Sequence, residues 1–333
     1  MMRRSRIHPP NGGRGQTRGW HGGGHGGDIA ICICHQLFRI AMTTENAKKP
    51  NGQIIAAENE LFILGYLHQF GWLRTRDLAS LGWPGAASTE SAISMAQRTL
   101  KRLKDSRQVL HKLAPDGATV YALALSGAKR LNEEWGTEAH SGKDLLRELG
   151  NYEHRCAANQ FAINRILTSD QKVWTEREIQ SGQAPIRTVI HKVPDGLVDI
   201  TEEINREFHF ALAWVEIERG YKNNRDFNKM MHFAFDVLGF LDSTGRPSSK
   251  MYEVLITNVG KEVNIGEVII QVANAAQRDR IIEAVRNAHS TRPYDYGWQH
   301  IFHNLYLCTS QSAALYRIGP LLGFAEDDAE DEE

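Results

Sequence analysis

The chain has 333 residues, 41% of them hydrophobic, enough to bury a core in one large domain or two ordinary ones. A formal net charge of −1 excludes a global electrostatic attraction to nucleic acid, so any such binding must come from local patches. No run of eighteen apolar residues is present, which argues against a membrane span, and the four cysteines show neither a disulfide framework nor zinc spacing, which suits a reducing cytoplasm.

The near-zero charge conceals two biased ends. Residues 1–50 hold eight Lys/Arg against two Asp/Glu, a net of +6, and residues 326–333 hold seven acids in eight positions. The first fifty are rich in Gly, Arg and His and are expected to form a disordered leader. Met42 opens a more ordinary start and is expected to be the true one; the alternative is a basic arm that touches phosphates. Cys32-Ile33-Cys34-His35 lacks a second pair at ligand spacing and is not read as a metal site. The acidic tail, 325–333, is expected to be solvated and disordered.

Residues 56–135 read as three helices and a hairpin. Leu61, Leu64 and Leu67 predict a helix over 58–70. A short helix follows from Leu73, with Thr75 as its cap, and Ser88 or Thr89 caps a third over 90–105. The outer face of that third helix carries Arg98, Lys101, Arg102 and Lys104. Strands are predicted at 109–113 and 119–123, joined by Ala114-Pro115-Asp116-Gly117, and Ser126 is read as the cap of a further helix through Leu131. This is the order of a winged helix-turn-helix, whose third helix enters the major groove of double-stranded DNA while the turn lies along the backbone. A protein-interaction module with a basic solvent face is the plainer alternative.

After a polar linker at 136–142, the pattern over 143–310 predicts a long helix (143–167), a strand (172–179), two hairpin strands (187–200 and 207–218), a helix (226–241), a strand (252–257), a helix (275–288) and a strand (304–308). The expected fold class is therefore α+β, a winged helix followed by a mixed sheet flanked by helices. Three carboxylates fall together in this plan: Asp195 of Pro194-Asp195-Gly196, and Glu216 and Glu218 of Val215-Glu216-Ile217-Glu218-Arg219-Gly220. Alternation along a strand puts Glu216 and Glu218 on one face, after Phe210, Leu212 and Trp214, with Val215 and Ile217 on the other. Carboxylates so close repel unless a hard cation such as Mg²⁺ or Mn²⁺ lies between them. Solvent-facing acids and a plain Pro-Asp-Gly turn are the alternative reading.

These motifs resemble two related groups. Helix, three strands, helix, strand, with Pro-Asp on the second strand and an acid on the third, resembles the PD-(D/E)XK nuclease superfamily, although Glu218 stands where that family has Lys. The whole of 56–310 resembles the replication-relaxation proteins of plasmids, similar to MobC-type relaxases. The resemblance implies that Asp195 and Glu216 ligate Mg or Mn, and that Glu218 is a further ligand or positions water. It implies that Lys229, or Lys222, restores the missing cation, with Glu153 near the shell and His154 a weaker candidate. It further implies a cytoplasmic DNA-binding protein of plasmid or mobile-element replication or mobilisation, with replication or relaxosome proteins as partners and a homodimer as one arrangement. Two functions stay open: a metal-dependent DNA-nicking nuclease, or a non-catalytic replication or transcription regulator with a degenerate nuclease domain.

Overall fold

The structure, a computed structural model, describes residues 51–323 apart from 148–150, 170, 189–192, 205–206, 210, 221, 239–254, 258–263, 292–296 and 311–313. The expected leader, the acidic tail and Phe210 lie outside the described residues.

Helix α1 (Gly52–Phe70) begins where the Asn51 carboxamide oxygen accepts from the Gln53 N–H at 3.0 Å and stops at Gly71, whose φ of +77° suits glycine. It starts before the predicted residue 58, at the Asn51 cap; its first turns are largely exposed and carry no apolar period to mark them in the sequence. Strand β1 (Trp72–Arg74) is too short to read from alternation. Helix α2 (Thr75–Gly82) is not capped by Thr75: the Asp77 carboxylate accepts from the Arg74 N–H at 3.0 Å and from its guanidinium at 2.8 Å. Helix α3 (Thr89–Asp105) is capped by Ser88, which accepts from the Ser91 N–H. Strands β2 (Val109–Leu113) and β3 (Thr119–Leu123) match their predicted bounds, with Gly117 at φ +79° in the turn. In α4 (Leu125–Trp135), Ser126 is not the cap; its hydroxyl donates to the Arg107 carbonyl. The three strands form an antiparallel sheet in the order β1-β3-β2.

The predicted helix over 143–167 is two pieces, a 3₁₀ turn at Lys143–Leu146 and α5 (Tyr152–Thr168). Leu145 and Leu146 pack with Trp72, Ala114 and Val120 on the first sheet, which holds this segment against the hairpin. Strand β4 (Val173–Thr175) ends earlier than predicted, because Thr175 and Glu178 form a reciprocal cap that opens α6 (Glu176–Gln180). There follow β5 (Ile186–Thr188), β6 (Gly196–Asp199), β7 (Glu202–Ile204), β8 (Glu207–His209), β9 (Ala211–Glu218), α7 (Asn224–Leu238), β10 (Leu255–Thr257), β11 (Asn264–Val272), α8 (Ala275–Thr291), α9 (Gly297–Asn304), β12 (Leu305–Thr309), β13 (Tyr316–Arg317) and α10 (Ile318–Leu321).

The class is mixed α+β. A six-stranded sheet runs β13-β12-β11-β9-β6-β4, with β4, β6 and β9 antiparallel and β9, β11 and β12 parallel. Strand β11 is absent from the sequence-based plan, yet it pairs on both sides at the middle of the sheet. Its run Val268-Ile269-Ile270 is wholly buried, as expected of a strand covered on both faces. The other predicted late strand, near 252–257, appears as β10 and pairs with β5 outside this sheet.

One face of the sheet, with Val198, Ala213, Val215, Ile217 and Ile269, joins the cluster that holds α5, and the other, with Trp214, Val268, Ile270 and Val272, joins the one that holds α7, α8 and α9. The first cluster also contains Ile63, Leu64, Leu67, Leu100 and Leu103, so a single core runs from the N-terminal helices through α5 into the sheet. Polar groups reinforce the join. Near the C-terminal end of α1, the Gln69 and Phe70 carbonyls accept from the Thr175 hydroxyl and the Arg155 guanidinium, and the Trp72 carbonyl accepts from Asn159.

Candidate functional site

Asp195 stands one residue before β6, and its N–H donates to the Val215 carbonyl at 3.0 Å. The Gly196–Val215 pairing then sets Asp195 beside Glu216 at the neighbouring position on β9. Asp195 Oδ2 accepts from the Ile217 N–H at 2.7 Å, which satisfies a strand-end donor, and its Oδ1 lies 2.8 Å from His154 Nε2 on the first turn of α5. His154 is therefore the side chain that bridges α5 to the carboxylates. The hydrogen bond to Asp195 raises the imidazole pKa above its ordinary value; burial opposes this, and the charges of Asp195, Glu176 and Glu216 add to it.

Glu216 and Glu218 are both buried, on the sheet face that carries Trp214. Glu216 Oε1 accepts from the Trp214 indole N–H at 2.6 Å, a contact that alternation permits because the two residues are separated by one position. Glu218 is paired with Lys222, whose ammonium also lies 3.4 Å from the Met230 sulfur. Arg219 points the other way, as alternation predicts: it donates to the Glu153 carbonyl at 3.0 Å and lies 3.8 Å from the Glu153 carboxylate.

The structure thus pairs Asp195 with His154 and sets Glu216 at the neighbouring register position, with the Glu218–Lys222 pair further along the same strand end. It does not bring in Lys229, which is 65% exposed on α7 and 3.9 Å from Asp226. Nor does it bring in the Glu153 side chain, which is 82% exposed and lies 3.8 Å from the Arg219 guanidinium. The cation beside the carboxylates is Lys222. Its place at i+4 from Glu218 was visible in the sequence; the pairing of His154 with Asp195 was not, because it depends on where α5 crosses the sheet.

A cavity of about 300 Å³ opens past the carboxyl ends of β9 and β11. Glu218, Arg219, Lys222, Phe227, Gln277 and Arg280 are among its lining residues. Arg280 lies 4.0 Å above the Phe227 ring and donates to the Lys222 carbonyl at 2.8 Å and to Asn224 at 3.0 Å. Gln277 donates to the Gly220 carbonyl at 3.1 Å.

On α3, Arg98, Lys101 and Lys104 are exposed at steps of three residues, so they lie along one side of the helix. Arg102, predicted to belong with them, turns back to Glu60 on α1 at 2.8 Å and to Thr99 at 3.2 Å. Glu60 also receives Arg130 at 2.9 Å, so Arg102 serves the helix packing.

Asp195 and Glu216 supply the oxygen ligands that Mg²⁺ or Mn²⁺ prefers. In this arrangement, however, both Asp195 oxygens meet protein donors, Glu216 accepts from an indole, and Glu218 is neutralised by Lys222. Among the described residues no group of three or more His, Cys, Asp or Glu is placed to hold a metal ion. The side chains as placed do not fit a preformed Mg or Mn site. Compared with known proteins, the chain matches no family model, no curated protein and no solved structure. Among the described residues no helix is long and apolar enough to cross a membrane.

Proposed function

We propose that this chain is a DNA-binding protein in which residues 56–135 form a winged helix, α3 enters the major groove of double-stranded DNA, and the β2–β3 turn follows the backbone. The observation that carries the reading is the file of exposed Arg98, Lys101 and Lys104 on the helix directly before the hairpin. Helix α2, the helix before it, packs closely on α3, as the first helix of such a pair does. The resemblance to replication-relaxation proteins supports a role in replication or mobilisation of a plasmid or other mobile element in the cytoplasm. Other replication or relaxosome proteins would be its partners, and a homodimer would read a palindromic site. Residues 143–310 are read as a PD-(D/E)XK-like domain that acts without catalysis, because its three carboxylates are engaged by Ile217, His154, Trp214 and Lys222.

The test is DNA affinity across a salt series. Lys101→Ala and Lys104→Ala should each lower the slope of log affinity against log salt by about 1, with a uniform loss across sequences if they contact phosphates. Slopes identical to wild type would remove α3 as the contact helix. The adjacency of Asp195 and Glu216 favours a second reading, metal-dependent nicking, in which Mg²⁺ or Mn²⁺ displaces the internal donors. Supercoiled plasmid incubated with either ion decides between them. Relaxation by wild type but not by Glu216→Ala supports the nuclease, and intact plasmid with DNA still bound supports the non-catalytic protein.

A further inference from the structure

The cavity past β9 and β11 has a defined chemistry. Lys222 and Arg280 line it against one carboxylate, Glu218, a surplus of one positive charge (two minus one), while Arg219 lines it with its guanidinium turned to Glu153. Two helices of 15 and 17 residues, α7 and α8, begin beside it, so the positive ends of both dipoles lie near its mouth. Helix α8 has no acidic residue in its first turn to offset that potential, and Ala276 of this turn lines the cavity. Arg280, on the second turn of α8, is fixed over Phe227 and tied to the chain leaving β9. Asn274 and Gln277 add side-chain amides. The place is the crevice outside the carboxyl ends of two adjacent parallel strands, where α/β sheets present ligands to helix N-termini. Its volume suits a group no larger than a nucleotide.

We propose that this cavity binds a phosphoryl group, from a nucleic-acid strand or from a small phosphorylated compound, held by Lys222 and Arg280. The inference goes beyond DNA contact by α3 and does not require it. On binding, Lys222 exchanges its contact with Glu218 for one with the phosphate, a bidentate or point-charge contact of the kind Arg and Lys make with phosphate oxygens.

The experiment titrates the full-length protein with inorganic pyrophosphate by calorimetry. Wild type should bind saturably, and Arg280→Gln should bind about tenfold more weakly or worse, the cost of one charged hydrogen bond. Ala276→Glu should lose binding by at least as much. It adds an acid to a helix's first turn, where negative charge favours the helix, so a normal melting temperature separates lost binding from lost fold. A double Lys101→Ala, Lys104→Ala variant should bind pyrophosphate as wild type does, whatever becomes of its DNA affinity. No saturable binding by wild type, or unchanged binding by Ala276→Glu, overturns the proposal. Competition then names the source. Displacement by a 5′-phosphorylated oligonucleotide alone identifies a strand end, displacement also by its 5′-hydroxyl counterpart identifies the backbone, and displacement by neither identifies a small phosphorylated compound.

Discussion

At the scale of single residues, the carboxylate cluster is governed by which proton donors face it. His154 has its pKa raised in the folded state, chiefly by the Asp195 hydrogen bond, so its protonation on folding is stabilising. The sign follows: that contribution is complete below the ordinary imidazole value of 6.5 and is lost as pH rises through the higher folded value. Melting temperatures across this range should fall with pH in wild type and show a smaller fall in Asp195→Asn; parallel curves would separate His154 from the effect. Lys222 and Lys229 make a second contrast. Lys222→Met leaves the Glu218 carboxylate, whose side chain is 6% exposed, without its cation, and should cost about 2 kcal/mol in chemical denaturation. Lys229→Met, on an exposed side chain, should stay within about 0.5 kcal/mol. The types of residue at this site were legible from the sequence, since Pro-Asp-Gly and Glu-x-Glu stand out. Their partners were less so, because a donor's choice among acceptors depends on crossings between elements distant in the chain.

At the scale of elements, the first turn of α5 is a junction. Tyr152 donates to Asp116 in the β2–β3 turn at 2.9 Å and stacks on Trp72, with ring centroids 5.6 Å apart, and two residues later His154 meets Asp195. The hairpin tip is therefore linked to the carboxylates through one helical turn. Tyr152→Phe keeps the stacking and removes one hydrogen bond, so it should lower stability by about 1 kcal/mol in urea denaturation, and no change would mean water replaces the bond in full. Elements with a strong local signal were readable: β2 and β3 through alternation and the Asp116-Gly117 turn, α3 through its apolar stripe and Ser88. Others were not. Strand β1 has three residues, and the apolar run of β11 carries no period that distinguishes a strand from a buried helix segment. The split between the 3₁₀ turn and α5 follows from Leu145 and Leu146 packing on the first sheet, a contact no local pattern announces.

At the scale of the whole molecule, the polar linker 136–142 suggested two separable units, whereas the core is continuous across it. Ile63, Leu67 and Leu103 share one cluster with Phe161, Val198 and Val215, and side chains of α5 and Thr175 satisfy carbonyls at the end of α1 and on β1. Unfolding by urea should therefore be one transition, with tryptophan fluorescence and far-ultraviolet dichroism coincident. Trp72→Ala, which removes a side chain buried where the halves meet, should destabilise both halves together by about 3–5 kcal/mol. Two well-separated transitions would contradict the shared core. Local pattern alone settled the α+β class, the hairpin with its glycine turn, the basic side of α3 and the shared face of Glu216 and Glu218, because helix and strand periods, turn chemistry and alternation act over a few residues. Folding in three dimensions assigned Lys222 rather than Lys229 to the carboxylates, Arg102 to Glu60, His154 to Asp195 and a cationic cavity to the ends of β9 and β11, because ion pairing and burial follow distances in space that sequence separation does not encode.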